Sequence, residues 1–382
     1  MEKLISSYLP VNVTEAITYT LLHSLWEGML LMVVVSLMLR LTERTAPVWR
    51  YRLLTGTLFV FALVLGLTFT LELSAGPDSS FKRSGLLNSG ADGFAVELWR
   101  QLNFSLKYIH EHAGLVVLLW LLAIGIQICR LSLGFYVLQR MRVVKATPAD
   151  PFWEQRLNEL AGDLRIHHAV RLVESGIARI PMVLGYFKPL ILIPVGLLNA
   201  LDQDQVEAIL LHELAHIRRK DGLINLMQTL METLLFFNPA VWWLSSLIRA
   251  ERENCCDEVA VQHLKSPVVL MRAMVCFEHY RDRKLNLALA FSTTGAGLAL
   301  RMERLLTGKN RMPGKLDLLA IVLILVMGLL VMVRRPENQI HSLAKAPLSL
   351  GKPNAVSSHE ALEDKKRAEA DALRRTGRHP AP

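Results

Sequence analysis

The stretch LHELAHIRRKD, Leu211 to Asp221, places His212 and His216 four residues apart, with Glu213 beside the first. On a helix, positions i and i+4 lie on one face, so both imidazoles can meet one ion. Glu213 then stands where a general base for a metal-activated water is needed, which is the logic of HExxH zinc sites. A catalytic zinc keeps three protein ligands and one open position, so a third ligand is expected elsewhere. The plainer alternative is a polar helix face with two solvated histidines. Context argues against it. Asp202 followed by Gln205 predicts a capping box at the helix start. Val206, Ile209, Leu210 and Leu214 supply an apolar flank that buries the helix and lowers the dielectric around the site.

Composition sets the surroundings of this helix. The 382 residues are 52% hydrophobic, with a mean hydropathy of +0.31. Such a chain is too apolar for an ordinary soluble protein and implies membrane spans. The net charge of +9 sits beside the hydrophobic runs, as topology signals do. Direct nucleic-acid binding is therefore not expected. Of the four cysteines, Cys255 and Cys256 are adjacent and do not suggest a disulfide framework, which points to a reducing compartment. Cys129 and Cys276 read as buried small hydrophobes.

Four apolar runs are long enough to cross a bilayer, at about 18–41, 53–73, 114–136 and 316–333. Glu27, inside the first, is expected to face the helix bundle or sit near the interface rather than carry function. The loop after the first run holds Arg40, Arg44, Arg50 and Arg52, and Arg140, Arg142 and Lys145 follow the third. The positive-inside rule then makes residues 139–315 cytoplasmic, with the N-terminus and the tail from Arg334 external. The expected organisation is a membrane region over 1–138, a cytoplasmic catalytic domain over 139–315, a fourth transmembrane helix, and an external tail, 334–382, with too few large apolar residues for a core. A lipid bilayer is the implied partner; that it is a bacterial inner membrane is implied only by the family resemblance given below. Residues 74–113 read as an extramembrane loop with a short amphipathic helix near 94–109.

Within the catalytic stretch, Asp150-Pro151 predicts a helix start, and Phe152, Trp153, Leu157, Leu160, Ala161 and Leu164 recur at helical spacing. Short β-like pieces follow at 170–174, 180–184 and 190–194. A small sheet just ahead of the HExxH helix can bind a substrate peptide by strand addition at its edge. His167 and His168 read as exposed loop residues, not ligands. After the HExxH helix come an apolar helix, 223–236, and a second that carries Glu251, Arg252, Glu253, Asn254, Cys255, Cys256 and Asp257. Glu251 and Glu253 both qualify as the third ligand. They point to different faces, so only one is expected to reach the ion. Glu253 shares a face with Asp257, which is placed to hold the free nitrogen of a ligand histidine. The plainer reading of Glu251, Arg252 and Glu258 is a charged helix end solvated inside the cell. Arg249, Arg252 and Tyr186 are candidate oxyanion donors.

With these segments in view, the chain resembles the BlaR/MecR family of integral-membrane zinc metallopeptidases. The resemblance rests on HELAH running into a basic stretch and Asp221, on FFNPAVWW, on RERENCCDEVA, and on RIPMVLGYFKPLILIP upstream. It covers roughly residues 18–333. It implies an α-helical membrane protein with an α+β, gluzincin-like zinc-peptidase domain inserted between the third and fourth of four transmembrane helices. It also implies Zn2+ held by His212, His216 and Glu253, with Glu213 catalytic and Asp257 behind the ligands, and so selects Glu253 over Glu251. The implied activity is cleavage of a cytosolic transcriptional repressor, or of the protein itself, in signal transduction. Only a short polar tail follows the fourth run, so no penicillin-binding sensor domain is expected. Two other roles fit part of the pattern: a quality-control peptidase similar to the HtpX/Ste24 group, and a non-catalytic membrane scaffold with a vestigial metal site.

Overall fold

A computed structural model describes residues 10–75, 111–143, 146–185, 188–284, 294–310 and 365–367. The expected fourth span, the amphipathic segment near 94–109, Tyr186 and nearly all of the tail lie outside the described residues. Residues 365–367 belong to a unit of their own, Met332–Pro382.

Three helices are long and apolar enough to cross a membrane: α1 (Val11–Leu41), α2 (Pro47–Ala75) and α3 (Ala113–Val143). Each extends past the apolar run read from sequence. At 1.5 Å per residue α1 is about 46 Å long, against a hydrocarbon core of about 30 Å, so its ends reach beyond the bilayer. Glu27 is buried and accepts a hydrogen bond from Thr68 Oγ1 at 2.7 Å, facing the bundle as expected. α3 buries almost nothing against protein. Cys129 stands exposed on it and Cys276 is only half-buried. Both depart from the expectation of buried cysteines; Cys129 lies in the mainly apolar stretch of α3 that buries almost nothing against protein, while Cys276 lies on a helix of the domain that follows.

β1 (Ala146–Pro148), α4 (Pro151–Asp163), β2 (Arg171–Ser175), β3 (Met182–Leu184) and β4 (Leu190–Pro194) open the domain after α3. Asp150 caps α4 as its spacing implies, accepting from Phe152 N at 2.8 Å. The sheet order is β1-β2-β4-β3; β2 and β4 run parallel, and the outer strands are antiparallel to their neighbours. β4 is buried along its whole length, as a central strand should be. β3 forms the edge beside the next long helix.

The short α5 (Leu197–Ala200) leads into α6 (Gln203–Arg219), α7 (Asp221–Leu234), α8 (Pro239–Leu264), α9 (Pro267–Lys284) and α10 (Thr294–Thr307). The expected capping box of α6 is not formed. Asp202 makes no side-chain bond to the backbone; Gln205 Nε2 donates to its carboxylate instead, at 3.0 Å. α6 nevertheless buries Val206, Leu210, Leu211 and Leu214 in the core with Leu157, Leu160, Leu172 and Ile193, so apolar burial, not the cap, sets its position.

α8 joins two cores. Its first half, with Val241, Leu244 and Ile248, packs among Val35, Leu39, Leu54 and Leu58 of α1 and α2. Its second half reaches the soluble core through Ala260. Asn238 fixes the start: its Oδ1 accepts from Ala240 N while its Nδ2 donates to Ser24 O of α1 at 2.7 Å. Gly28 allows this approach, since a Cβ there would meet Ala240 Cβ at 3.0 Å. Glu253 lies where α8 passes from one core to the other.

Candidate active site

α6 carries His212, Glu213 and His216 on a helix whose opposite side is closed by the soluble core. Its end matters as much as its body. Lys220 adopts a left-handed conformation, φ +56°, and its N–H bonds back to His216 O and Ile217 O. That costs a non-glycine residue about 1–2 kcal/mol, and it reverses the chain so that Asp221, the first residue of α7, returns beneath His216. Asp221 Oδ2 lies 3.1 Å from His216 Nδ1.

α8 approaches from the other side. Glu253 Oε2 is 3.3 Å from His212 Nε2, and Glu253 Oε1 is 3.9 Å from His216 Nε2. Ligand atoms of His212, His216 and Glu253 all fall within 4.8 Å of one another. Asp257, one turn on and fully buried, sets Oδ1 3.1 Å from His212 Nδ1. Although close, that contact does not count as a hydrogen bond, and His212 Nδ1 is a buried nitrogen without a hydrogen-bond partner among the described residues. In both rings, then, Nδ1 faces an aspartate and Nε2 faces Glu253. An N–H on Nδ1 leaves the Nε2 lone pair free, the tautomer a metal ligand requires.

The donor set fits a zinc ion: two imidazole nitrogens and a carboxylate, backed by carboxylates. Electrostatics agrees. Burial opposes a charge on His212, yet its contacts with Asp257 and Glu253 overcome this and raise its pKa to about 10. Without a cation, the carboxylates draw a proton onto the ring; a metal ion answers the same demand. Burial likewise opposes the charged form of Glu253, but His212, His216 and Arg301 hold it well below the usual carboxylate range. Asp257 is held low against its own burial by Arg301 and His212. Glu213 moves the other way: burial raises its pKa, which suits a carboxylate that must accept and return a proton.

A second group of donors, His216, Asp221 and Cys256, shares the Nδ1 side of His216, with Cys256 Sγ 3.3 Å from it. Burial pushes the Cys256 thiol well above its ordinary value. Its sulfur packs behind the imidazole.

The two carboxylates that sequence left in competition separate cleanly. Glu251 is turned from the histidines and buried; Arg50 Nη2 of α2 lies 3.0 Å from its Oε1. The reading of Glu251 as a solvated helix end is thus corrected, because α8 passes beneath the membrane helices at this point. His167 and His168 are exposed, away from the cluster. Of the suggested oxyanion donors, Arg249 is engaged by Glu232 and Arg252 lies 3.7 Å from Glu253 Oε1.

Sequence reasoning missed two residues. Asp221 ends the quoted stretch, but nothing local shows that the chain turns back there. Arg301, on α10, donates through both Nε and Nη2 to Asp257 and brings Nη1 to 3.8 Å from Glu253 Oε2. It lies 44 residues beyond Asp257 and no spacing rule connects them. Burial opposes its charge, but Asp257 and Glu253 more than compensate, so it is firmly cationic.

Comparison with known proteins gives this arrangement a context. The profile of the family described as BlaR1 peptidase M56 matches residues 19–269. The regulatory protein BlaR1 of Bacillus licheniformis is 29% identical over 191 residues, covering 48% of this chain and 31% of that one. The methicillin resistance protein mecR1 of Staphylococcus aureus is 25% identical over 149 residues, 37% of this chain and 24% of that one. A protease HtpX homologue of Bacillus licheniformis is 30% identical over 102 residues, 26% of this chain and 34% of its own. The matched region thus spans about a third or less of these relatives.

Proposed function

This chain belongs to the BlaR1-type M56 peptidase family, and from that premise we propose that it is a membrane-embedded zinc metalloendopeptidase acting in signal transduction. The observation that carries the reading is the convergence of His212, His216 and Glu253, from two helices, beside a buried Glu213. When bound, zinc supplies Lewis acidity to a water and to a substrate carbonyl. His212, His216 and Glu253 would hold it, with Asp257 and Asp221 beside the Nδ1 atoms to keep the rings oriented. Glu213 takes a proton from the attacking water and returns it to the nitrogen of the leaving amine. Arg301, cationic and next to Glu253, adds to the pull of His212 and His216 that keeps that carboxylate ionised.

The substrate is a peptide, and β3 offers it an edge beside α6 for strand addition. In line with the name of the regulatory protein BlaR1, we assign as substrate a cytosolic transcriptional repressor, the protein itself, or both. The catalytic domain accordingly faces the cytoplasm, on the side of Arg40, Arg44, Arg140 and Arg142. The HtpX match favours one alternative, a broader quality-control peptidase with the same chemistry.

The test is zinc content and proteolysis of purified wild type and Glu213→Gln in detergent, with the protein itself, a repressor and unfolded proteins as substrates. About one zinc per chain in both, with cleavage by the wild type alone, is expected. Equal cleavage by Glu213→Gln would sink the mechanism. Indiscriminate cutting of unfolded proteins would move the assignment to quality control.

A further inference from the structure

The foot of α2 reaches into the site from the membrane. Tyr51, buried in the first turns of that helix, donates from its hydroxyl to Asp221 Oδ1 at 3.2 Å. The other oxygen of the same carboxylate faces His216 Nδ1. Arg219, whose guanidinium stacks over the Tyr51 ring at 4.5 Å, completes the cradle with Nε 3.4 Å from Asp221 Oδ1. The adjacent Arg50 grips Glu251, two residues before Glu253. Just ahead of α2, Glu43 O and Thr45 O accept from Asn310 Nδ2. Arg304 ties that asparagine to the backbone of Asn254 on α8. α8 is therefore held by α2 and the junction before it, the end of α6 meets α2 through Arg219 and Tyr51, and one hydrogen-bonded path leads from a membrane helix to a ring nitrogen of His216.

We propose that Tyr51 is a positioning residue for His216, acting through Asp221, so that displacement of α2 in the membrane changes how firmly His216 holds a metal ion. This rests on the zinc reading above. The physical basis is that a carboxylate behind a ligand imidazole sets its tautomer, orientation and basicity. Asp221 can do so only while it is itself fixed, and Tyr51 is the fixing group that does not belong to the catalytic domain. Withdrawing α2 removes the hydroxyl, frees Asp221 to turn toward Arg219, and loosens His216 while leaving His212 with Asp257. The membrane region then regulates the site as well as anchoring it.

The experiment uses the full chain in detergent or lipid discs. Zinc affinity is measured by chelator competition, and the ligand field by the visible spectrum of the cobalt-substituted protein. Tyr51→Phe keeps the ring and removes only the hydroxyl. Thr57→Val, on the same helix and, among the described residues, bonded only to the backbone at Leu53 O, is the control. Tyr51→Phe is expected to weaken zinc binding by about tenfold, the lower end for loss of a group behind a ligand. It should also shift the cobalt bands and lower kcat more than it raises KM; Thr57→Val should match wild type. Wild-type zinc affinity together with an unchanged cobalt spectrum in Tyr51→Phe overturns the proposal, whether or not cleavage is seen. A wild type that binds no zinc overturns the zinc reading and this inference together. Should Tyr51→Phe not fold, fluorotyrosine placed at position 51 changes only the acidity of the hydroxyl; an unshifted cobalt spectrum there counts against the proposal equally.

Discussion

The two halves of the site are built alike but held differently. Each candidate ligand imidazole turns Nε2 toward Glu253 and Nδ1 toward an aspartate. On the His212 side the aspartate is Asp257, fully buried and gripped twice by Arg301. All of these parts lie in the segment after the third membrane helix. On the His216 side the aspartate is Asp221, held by Arg219 and by Tyr51 of α2. The first half is clamped by a charge pair within one domain. The second joins Arg219, 3.4 Å from Asp221 Oδ1, to a neutral donor brought from the membrane region. On the proposal above, the His212 side is the rigid wall of the site and the His216 side, which α2 touches, the adjustable one.

Measurements can break or sharpen this contrast. The largest effect is expected where both halves meet. Glu213→Gln should lower kcat by about 10²–10⁴, the usual contribution of a general base, with zinc stoichiometry unchanged; loss of zinc would show that Glu213 supports the cluster structurally. Next comes the tether. Removing one partner of a buried ion pair costs about 3–5 kcal/mol, so Arg50→Met or Glu251→Gln should lower the thermal midpoint clearly. The double variant Arg50→Met with Glu251→Leu should recover much of the loss. No recovery would mean that the pair fixes α2 on α8 by shape rather than by mutual neutralisation.

The rigid wall makes the third prediction. Asp257→Asn should weaken zinc about 10–100-fold, more than Tyr51→Phe does. Equal losses would erase the difference between the halves. The smallest effect tests a contact remote from both. Glu207 on α6 is hydrogen-bonded by Arg156 of α4, which lowers its pKa. A lowered carboxylate stabilises the fold above its ordinary value of 4.5 and loses that contribution as pH falls through the folded value. Arg156 is partly solvated, so the contribution is at most about 1 kcal/mol. The thermal midpoint of wild type should exceed that of Glu207→Gln at pH 7, and the gap should close below pH 4.5, with zinc affinity equal throughout.

Much of this was legible in the chain itself. The i, i+4 spacing of His212 and His216 brings them to one face of α6, and the three strands lie within one or two residues of where alternation and turns put them. Local rules failed where two elements had to meet. The capping box of α6 gave way because Gln205 found the Asp202 carboxylate. Glu251 looked like a solvated helix end because nothing in RERENCC reveals that α2 lies over it. Asp221 and Arg301 escaped notice for the same reason: one depends on a left-handed turn at Lys220, the other on a helix 44 residues away.

What the sequence determined alone was chemistry carried by short spacing: a histidine pair with an adjacent glutamate, apolar runs of membrane length, and basic residues at their ends. Helical geometry and bilayer thickness translate such patterns into structure without reference to the rest of the chain. The spacing alone left Glu251 and Glu253 in competition, and only the family resemblance chose between them; the tertiary structure decided which ring Asp257 stands behind, that Asp221 stands behind the other, and that a membrane helix completes one of these supports. Those choices depend on which distant surfaces pack together, and burial, by removing water, makes each resulting contact of charge and hydrogen bond strong enough to shape the site.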